Sequence, residues 1–384
     1  MLNIRIVNDD KDFQALRKDW NYLLIESDAD NIFLTWEWLF SWWQSYKENK
    51  QLHVLIVEEG ESLVGIAPLY IMKKRSLGYR QLLYLEFLGS YSVGSEYLDF
   101  ICTSLKRNEI MNTLYSYLLK TECVKWDVMN LNAVREDSIA WVYLRQLLHK
   151  DKKRYWVTAR RQNPFILLPE SADKYLASLS RKTRWKFKDY RKKLLSNNEV
   201  SIDLAEKKED VVKYFDIFKD LHQKRWSQKD GKGSFSSERK QYLEFHDKVS
   251  KLFWDKGWLS LNLLKVNNEY AAGQYNFIYN GKLYCYSVGY DPEYDRNNVA
   301  TVLQLIMVEN AIAKGLRVFD FLRGTEEYKF YWTKMSCQTS DIAIWKNNLS
   351  SNLAFVEEVI KRLIRALYPW NLAKRIRKTI KKNG

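Results

Sequence analysis

Two charged side chains stand inside apolar sequence near residue 320, and charge placed there needs a reason. Asp320 lies among Phe319, Phe321 and Leu322, and Lys329 sits between Tyr328 and Phe330. A carboxylate in such surroundings either pairs with a cation, for which Arg323 and Lys329 are candidates, or is desolvated, its pKa raised, and can serve as a general base. A lysine there either lays its stem over Tyr328 or Trp332 with its ammonium in water, or meets a phosphate or a developing negative charge. His222, followed by Arg225 and Trp226, is a second candidate base or an ordinary helix-face histidine. Tyr286 and Tyr290 can each protonate a departing thiolate, although in a chain with 25 Tyr many only pack.

The elements that must position these residues run from Tyr284 to Trp332. Tyr284 to Gly289 is an apolar, aromatic run that fits a strand, ended by a turn at Asp291-Pro292. Val302, Leu305, Ile306, Val308 and Ile312 recur at helical spacing. Asn298 suits the cap of that helix, Gly315 its end, and Arg317 to Leu322 a second strand. Strand, helix and strand in this order gather backbone N–H groups and the positive end of the helix dipole just after the first strand. That is a seat for a phosphate or another anion, and equally a plain packing unit with a capped helix.

A chain of 384 residues with 46% hydrophobic content is long enough for two folded domains. The four cysteines, Cys102, Cys123, Cys285 and Cys337, lie far apart, and the four histidines form no ligand pattern. Neither a disulfide framework nor a metal site is expected, and a reducing cytoplasm is the natural compartment. No uncharged apolar run reaches the ~18 residues of a membrane span, and Met1 to Val7 lacks the apolar core of a signal peptide. The net charge is +15, and nine Lys/Arg without an acid fall from Val359 onward.

Taken in order, Leu2 to Val7 reads as an edge strand, Asp12 to Glu26 and Trp36 to Tyr46 as helices, and Leu52 to Val57 with Leu63 to Met72 as a hairpin. Strands are expected at Gln81 to Leu88, Tyr97 to Ile101, Trp126 to Leu131 and Arg154 to Ala159, with helices at Asn108 to Lys120 and Ala133 to His149. A second half begins near Asn163-Pro164. Its helices are Ser171 to Ser178, Ser180 to Leu195, Val211 to Arg225 and Arg239 to Asp255, and its hairpin is Leu259 to Val266 with Ala271 to Tyr279. LHVLIVEEGESLVGIAPLYI is answered by LSLNLLKVNNEYAAGQYNFIY, and KWDVMNL by RVFDFLR. The pattern suggests a duplicated α/β unit: 1–160, 161–348, then a basic amphipathic tail over 349–384.

The segment YDPEYDRNNVATVLQLIMVENAIAKGLRVFDFLRGTEEYKFYW resembles the C-terminal signature of the BioF2-like or CelD-like group of GNAT acyltransferases, which is related to the Fem-type double-GNAT peptidyl transferases. LHQKRWSQKDGKGSF and SRKTRWKFKDYRKKL extend the similarity, and FLTWEWLFSWWQSY and VGIAPLYI do so more loosely. The resemblance implies an α/β fold of two tandem GNAT-like units with mostly antiparallel mixed sheets. It implies an acyl-CoA donor, acetyl-CoA in the first instance, and no metal. The pyrophosphate would lie on Arg296 to Thr301, including Asn298, Val299, Ala300 and Thr301. Pantetheine would lie between the splayed strands, beside Tyr286 and Ser287. The acceptor side would take Arg184, Arg225, Trp226, Arg323, Tyr328 and Lys329, the last matching a substrate-contacting lysine of the Fem-type relatives. One departure stands out: the group usually has Pro-Gly where this chain has Val299-Ala300, and Ala is the smallest substitute for the glycine.

The function so implied is acyl transfer from CoA to a hydroxyl or amine of a sugar, polysaccharide precursor or similar acceptor. An aminoacyl-tRNA-dependent Fem-type transferase and a non-catalytic scaffold are the alternatives. The basic run from Arg181 to Lys193 suits a solvated helix face, an acceptor groove or, with its interleaved aromatics, nucleic acid, which is the least expected partner. In the tail, Val356, Val359, Ile360, Leu363, Ile364 and Leu367 form an apolar stripe. After Pro369, Leu372, Ile376 and Ile380 continue it among cations beside Tyr368 and Trp370. That combination fits either a helix lying on the inner face of an anionic membrane or one docked on the core.

Overall fold

The computed structural model describes residues 1–75, 81–90, 92–121, 123–228, 231 and 233–367. Most of its strands assemble into one mixed sheet of eleven. In spatial order these are Val200–Leu204, Leu259–Val266, Glu269–Tyr279, Lys282–Tyr290, Val318–Asp320, Tyr155–Leu167, Ser336–Trp345, Val128–Arg135, Gln81–Phe87, Leu69–Arg75 and Lys50–Leu52. A smaller sheet joins Leu2–Val7, Val54–Glu59, Ser62–Ala67 and Ile101–Cys102. Helices cover both, giving a mixed α/β fold.

Each half builds the same motif. In the first, Gln81–Phe87 and Val128–Arg135 run parallel, and the helix Arg107–Leu119 crosses between them. In the second, Lys282–Tyr290 and Val318–Asp320 run parallel, joined by the helix Val299–Ala313. Parallel neighbours need such a crossover, and the sequence repeat is its trace. The halves then exchange their closing strands. Tyr155–Leu167 pairs with Val318–Asp320, Ser336–Trp345 pairs with Val128–Arg135, and the two closing strands pair with each other. The core is shared as well: Trp38, on the helix Trp36–Tyr46, meets Phe245 at 4.9 Å and Phe277 at 5.7 Å between ring centroids.

Several elements differ from expectation, each for a local reason. The helix expected over 12–26 is broken at Leu16 into Asp10–Ala15 and Arg17–Ile25. The run 63–72 divides at Pro68, whose missing N–H ends one strand, and Leu69–Arg75 joins the large sheet. Tyr97 adopts a left-handed φ of 57°, and of the strand expected over 97–101 only Ile101 pairs, in the short strand Ile101–Cys102. The strand Val128–Arg135 runs into what reads as a helix from Ala133, and helix begins only at Ala140, with a π turn. The strand Tyr155–Leu167 passes through Asn163-Pro164. Pro164 sits where pairing with Ser336–Trp345 ends and pairing with Val318–Asp320 begins, a place where a lost N–H costs least. In the tail, Leu349–Leu367 is helical; Tyr368, Pro369, Trp370, Leu372, Ile376 and Ile380 lie outside the described residues.

Candidate active site

The parallel strands of the second half separate after three residue pairs, Lys282–Val318, Leu283–Phe319 and Tyr284–Asp320. Lys282–Tyr290 continues for six residues more, so among the described residues no strand lies beside its edge from Cys285 onward on that side. At the point of separation the pairing with Glu269–Tyr279 also slips. Phe277 opposes Tyr284 and Tyr275 opposes Ser287, which leaves Cys285 and Tyr286 sharing Asn276. Such a bulge frees backbone groups and re-aims side chains.

A cavity of about 1000 Å³ fills the opening. Val288 and Tyr290 line it from the strand, and Asn298, Val299, Ala300, Thr301 and Gln304 from the start of the helix Val299–Ala313. Lys182, Lys186, Phe187 and Tyr190 of the helix Arg181–Asn197 form the facing wall, with Tyr328, Trp332 and Lys334. Among its lining residues five cations, Lys174, Lys182, Lys186, Arg225 and Lys334, face one carboxylate, Asp295. That balance selects an anion.

The helix start is suited to receive one. Asn298 stands at the cap position but in the left-handed region, with φ 54°, and its amide donates to the Arg296 carbonyl at 3.3 Å. This corrects the expected side-chain cap: among the described residues no side chain bonds the first-turn N–H groups, and while those of Thr301 and Val302 donate to the Asn298 carbonyl at 2.9 and 3.0 Å, those of Val299 and Ala300 are left for a ligand. One turn on, Gln304 is buried; its Oε1 accepts from Gln274 Nε2 at 3.0 Å and from the Cys285 thiol at 3.5 Å. Its Nε2, on the cavity wall, has no partner. Burial pushes the Cys285 thiol up to about 12, so it is no nucleophile at neutral pH.

Arg225 is the cation nearest the strand edge. Its Nη1 donates to the Val288 carbonyl at 2.7 Å and its guanidinium lies 5.5 Å from the Tyr290 ring centre; beside it, burial pushes the pKa of Tyr328 well up. Arg225, Tyr290, Asn298, Val299, Ala300, Thr301 and Tyr328 therefore meet around one cavity.

The other expected residues stand elsewhere. His222 is buried beside it, accepts from Trp226 Nε1 at 3.1 Å, and is held neutral because burial lowers its pKa to about 4. Tyr286 points to the opposite face of the sheet, where its hydroxyl meets His246 Nε2 at 3.0 Å and Tyr242 at 3.1 Å. Ser287, Arg296 and Arg184 are not among the lining residues; Arg296 is exposed, and Arg184 reaches the Ala177 carbonyl at 3.4 Å. Lys329 is 5% exposed and turned from the cavity. Its ammonium donates to the Arg323 carbonyl at 2.7 Å and pairs with Glu326 at 3.2 Å, pinning the loop after the second strand.

Asp320 faces the first half of the chain. One carboxylate oxygen accepts from the Tyr97 hydroxyl and the other from the Leu322 N–H, both at 2.8 Å. The second bond holds Leu322 at φ 56°, a conformation a leucine rarely adopts. Burial raises the Asp320 pKa to about 6, against the pull of these bonds. Beside it Arg323 pairs with buried Glu96 at 2.8 Å, and Glu96 also accepts from Asn163 at 3.0 Å. Sequence reasoning missed Glu96, Tyr97 and Gln304. Glu96 and Tyr97 come from the other half of the chain, and Gln304 sits within a run read as apolar periodicity.

Residues 181–330 match the family model described as an acetyltransferase (GNAT) domain, and the segment contains both splayed strands and the helix between them. The chain thus carries a GNAT domain and is an acyltransferase of that type. No curated protein matches it significantly. Among solved structures it is similar to FemX, at 12% identity and a TM-score of 0.62, over 92% of this chain and 100% of that one. A conserved protein of unknown function from Bacteroides thetaiotaomicron aligns at 13% identity and TM-score 0.53, over 89% and 100%. The C-terminal domain of a protein assigned as a lysylphosphatidylglycerol synthetase from Agrobacterium fabrum aligns at 8% and 0.52, over 92% and 97%. At these identities the likeness is one of fold. Among the described residues no cluster of side chains could hold a metal ion.

Proposed function

We propose that the protein transfers an acyl group, acetyl in the first instance, from CoA to a hydroxyl or amine of a sugar or polysaccharide precursor in the cytoplasm. The observation that carries the reading is the cationic cavity between the splayed strands, ending at an uncovered helix N-terminus. The donor's diphosphate suits the first turn at Val299, Ala300 and Thr301, with Lys182 and Lys186 opposite. Pantetheine suits the open strand edge beside Val288 and Tyr290, where a strand N–H would polarise the thioester carbonyl and favour the tetrahedral intermediate. Tyr290, with the Arg225 cation beside its ring, is assigned the proton for the leaving thiolate. Asp320 is assigned a positioning role, since both its oxygens already hold other groups.

The donor reading is tested by titrating the full chain with CoA and with dephospho-CoA in calorimetry. Saturable CoA binding, weakened by Lys182→Ala with Lys186→Ala, supports it; no heat and no thermal shift with either ligand overturns it. An aminoacyl-tRNA donor is the second reading, favoured by the exposed cations of the helix Arg181–Asn197 beside the cavity and by the FemX-like fold. RNA that competes with CoA for the cavity would select it.

A further inference from the structure

The last described helix leaves an apolar strip uncovered. Leu349–Leu367 rests on the large sheet through Phe355, whose ring lies 4.6 Å from Trp156 and 5.3 Å from Trp345, and through Ser351, whose hydroxyl donates to the Asp127 carbonyl at 2.6 Å. Away from that seat, Leu349, Leu353, Val356, Ile360, Leu363 and Ile364 are each between 44% and 73% exposed. Their spacing of three and four residues places them in one line, roughly 22 Å long at the rise of an α-helix. A chain alone in water gains nothing from such a face.

Charge indicates what covers it. Glu357 pairs with Lys361 and Glu358 with Arg362, so the helix is locally balanced up to that point. No acid follows: residues 359–384 hold nine Lys/Arg, with Leu372, Ile376, Ile380, Tyr368 and Trp370 among them. A second copy of the chain would bring like charges together. The chain's own last residues, folded back, would lay unpaired cations over apolar side chains. An anionic bilayer accepts the apolar strip in its interface and the cations among its headgroups. Among the described residues no helix is long and apolar enough to cross a membrane, so the geometry is that of a helix lying in the surface.

We infer that the exposed face of Leu349–Leu367, extended by the cations that follow it, docks the protein on an anionic lipid surface. This goes beyond the donor reading and is read without any donor, so the two fail separately. The test is co-sedimentation of the full chain with vesicles of phosphatidylcholine alone and of phosphatidylcholine mixed with phosphatidylglycerol. The expected result is partition about tenfold or more stronger into the mixed vesicles. It should fall at least about tenfold in Leu353→Glu/Ile360→Glu and on removal of residues 368–384. Because Leu353 and Ile360 are exposed, the double variant should keep the wild-type melting temperature, which separates lost docking from lost folding. Equal partition of wild type and double variant overturns the inference. So does a solution dimer that the double variant dissolves, or stronger vesicle binding once residues 368–384 are removed.

Discussion

Arg225 holds the Val288 carbonyl with one guanidinium nitrogen and presents its charge to the cavity, so it serves the strand edge and the ligand together. Removing a charged hydrogen-bond partner costs on the order of 1.5–3 kcal/mol, which predicts CoA binding by Arg225→Ala weakened roughly tenfold to a hundredfold. Calorimetric titration checks it, and Arg225→Lys should restore the charge without the paired geometry. Glu96 allows a prediction about pH. Desolvation is the largest influence and raises its pKa to about 7 against Arg323 and Asn163, and it raises Asp99 to about 7 and Asp320 to about 6. Each binds its proton more tightly folded than unfolded, so stability is lost as pH rises from about 4 towards 7. Glu96→Gln removes one share of that slope. Relative to wild type its unfolding free energy should climb between pH 5 and pH 8, by on the order of 3 kcal/mol, as urea melts at each pH would show.

The helix Val299–Ala313 and the strands beside it are the part of the site most legible in sequence, because apolar spacing, a turn pair and a terminal glycine mark their ends. The exchange of closing strands was hidden. Asn163-Pro164 has the composition of a linker, and only the partners on either side of Tyr155–Leu167 make it a strand. Asp320 reads as a charge in apolar surroundings, but its partner Tyr97 lies more than two hundred residues away, beyond any local pattern. The helix start gives a prediction of its own. Ala300→Gly should tighten CoA binding a few-fold by allowing closer backbone approach, while lowering the stability of the first turn by roughly 0.5–1 kcal/mol. Ala300→Leu should weaken binding with little change in melting temperature. Parallel calorimetry and thermal melts separate the two effects.

At the scale of the molecule, the sheet and the core belong to both halves. Residues 161–384 alone lack Val128–Arg135, the neighbour of Ser336–Trp345, and the first part of Tyr155–Leu167. That fragment is predicted to show no cooperative thermal transition by near-ultraviolet circular dichroism, whereas co-expression with residues 1–160 should recover a soluble complex. A cooperative melt of the fragment by itself would contradict this.

The same strand exchange bears on how the chain is made. While the ribosome is still adding the second half, Val128–Arg135 waits with one edge open until Ser336–Trp345 emerges, some two hundred residues later. Contacts so far apart close slowly, and an open edge invites pairing with other nascent chains. The first half therefore cannot finish folding as it is born, and its yield in a cell should depend on translation rate and on chaperones that shield that edge.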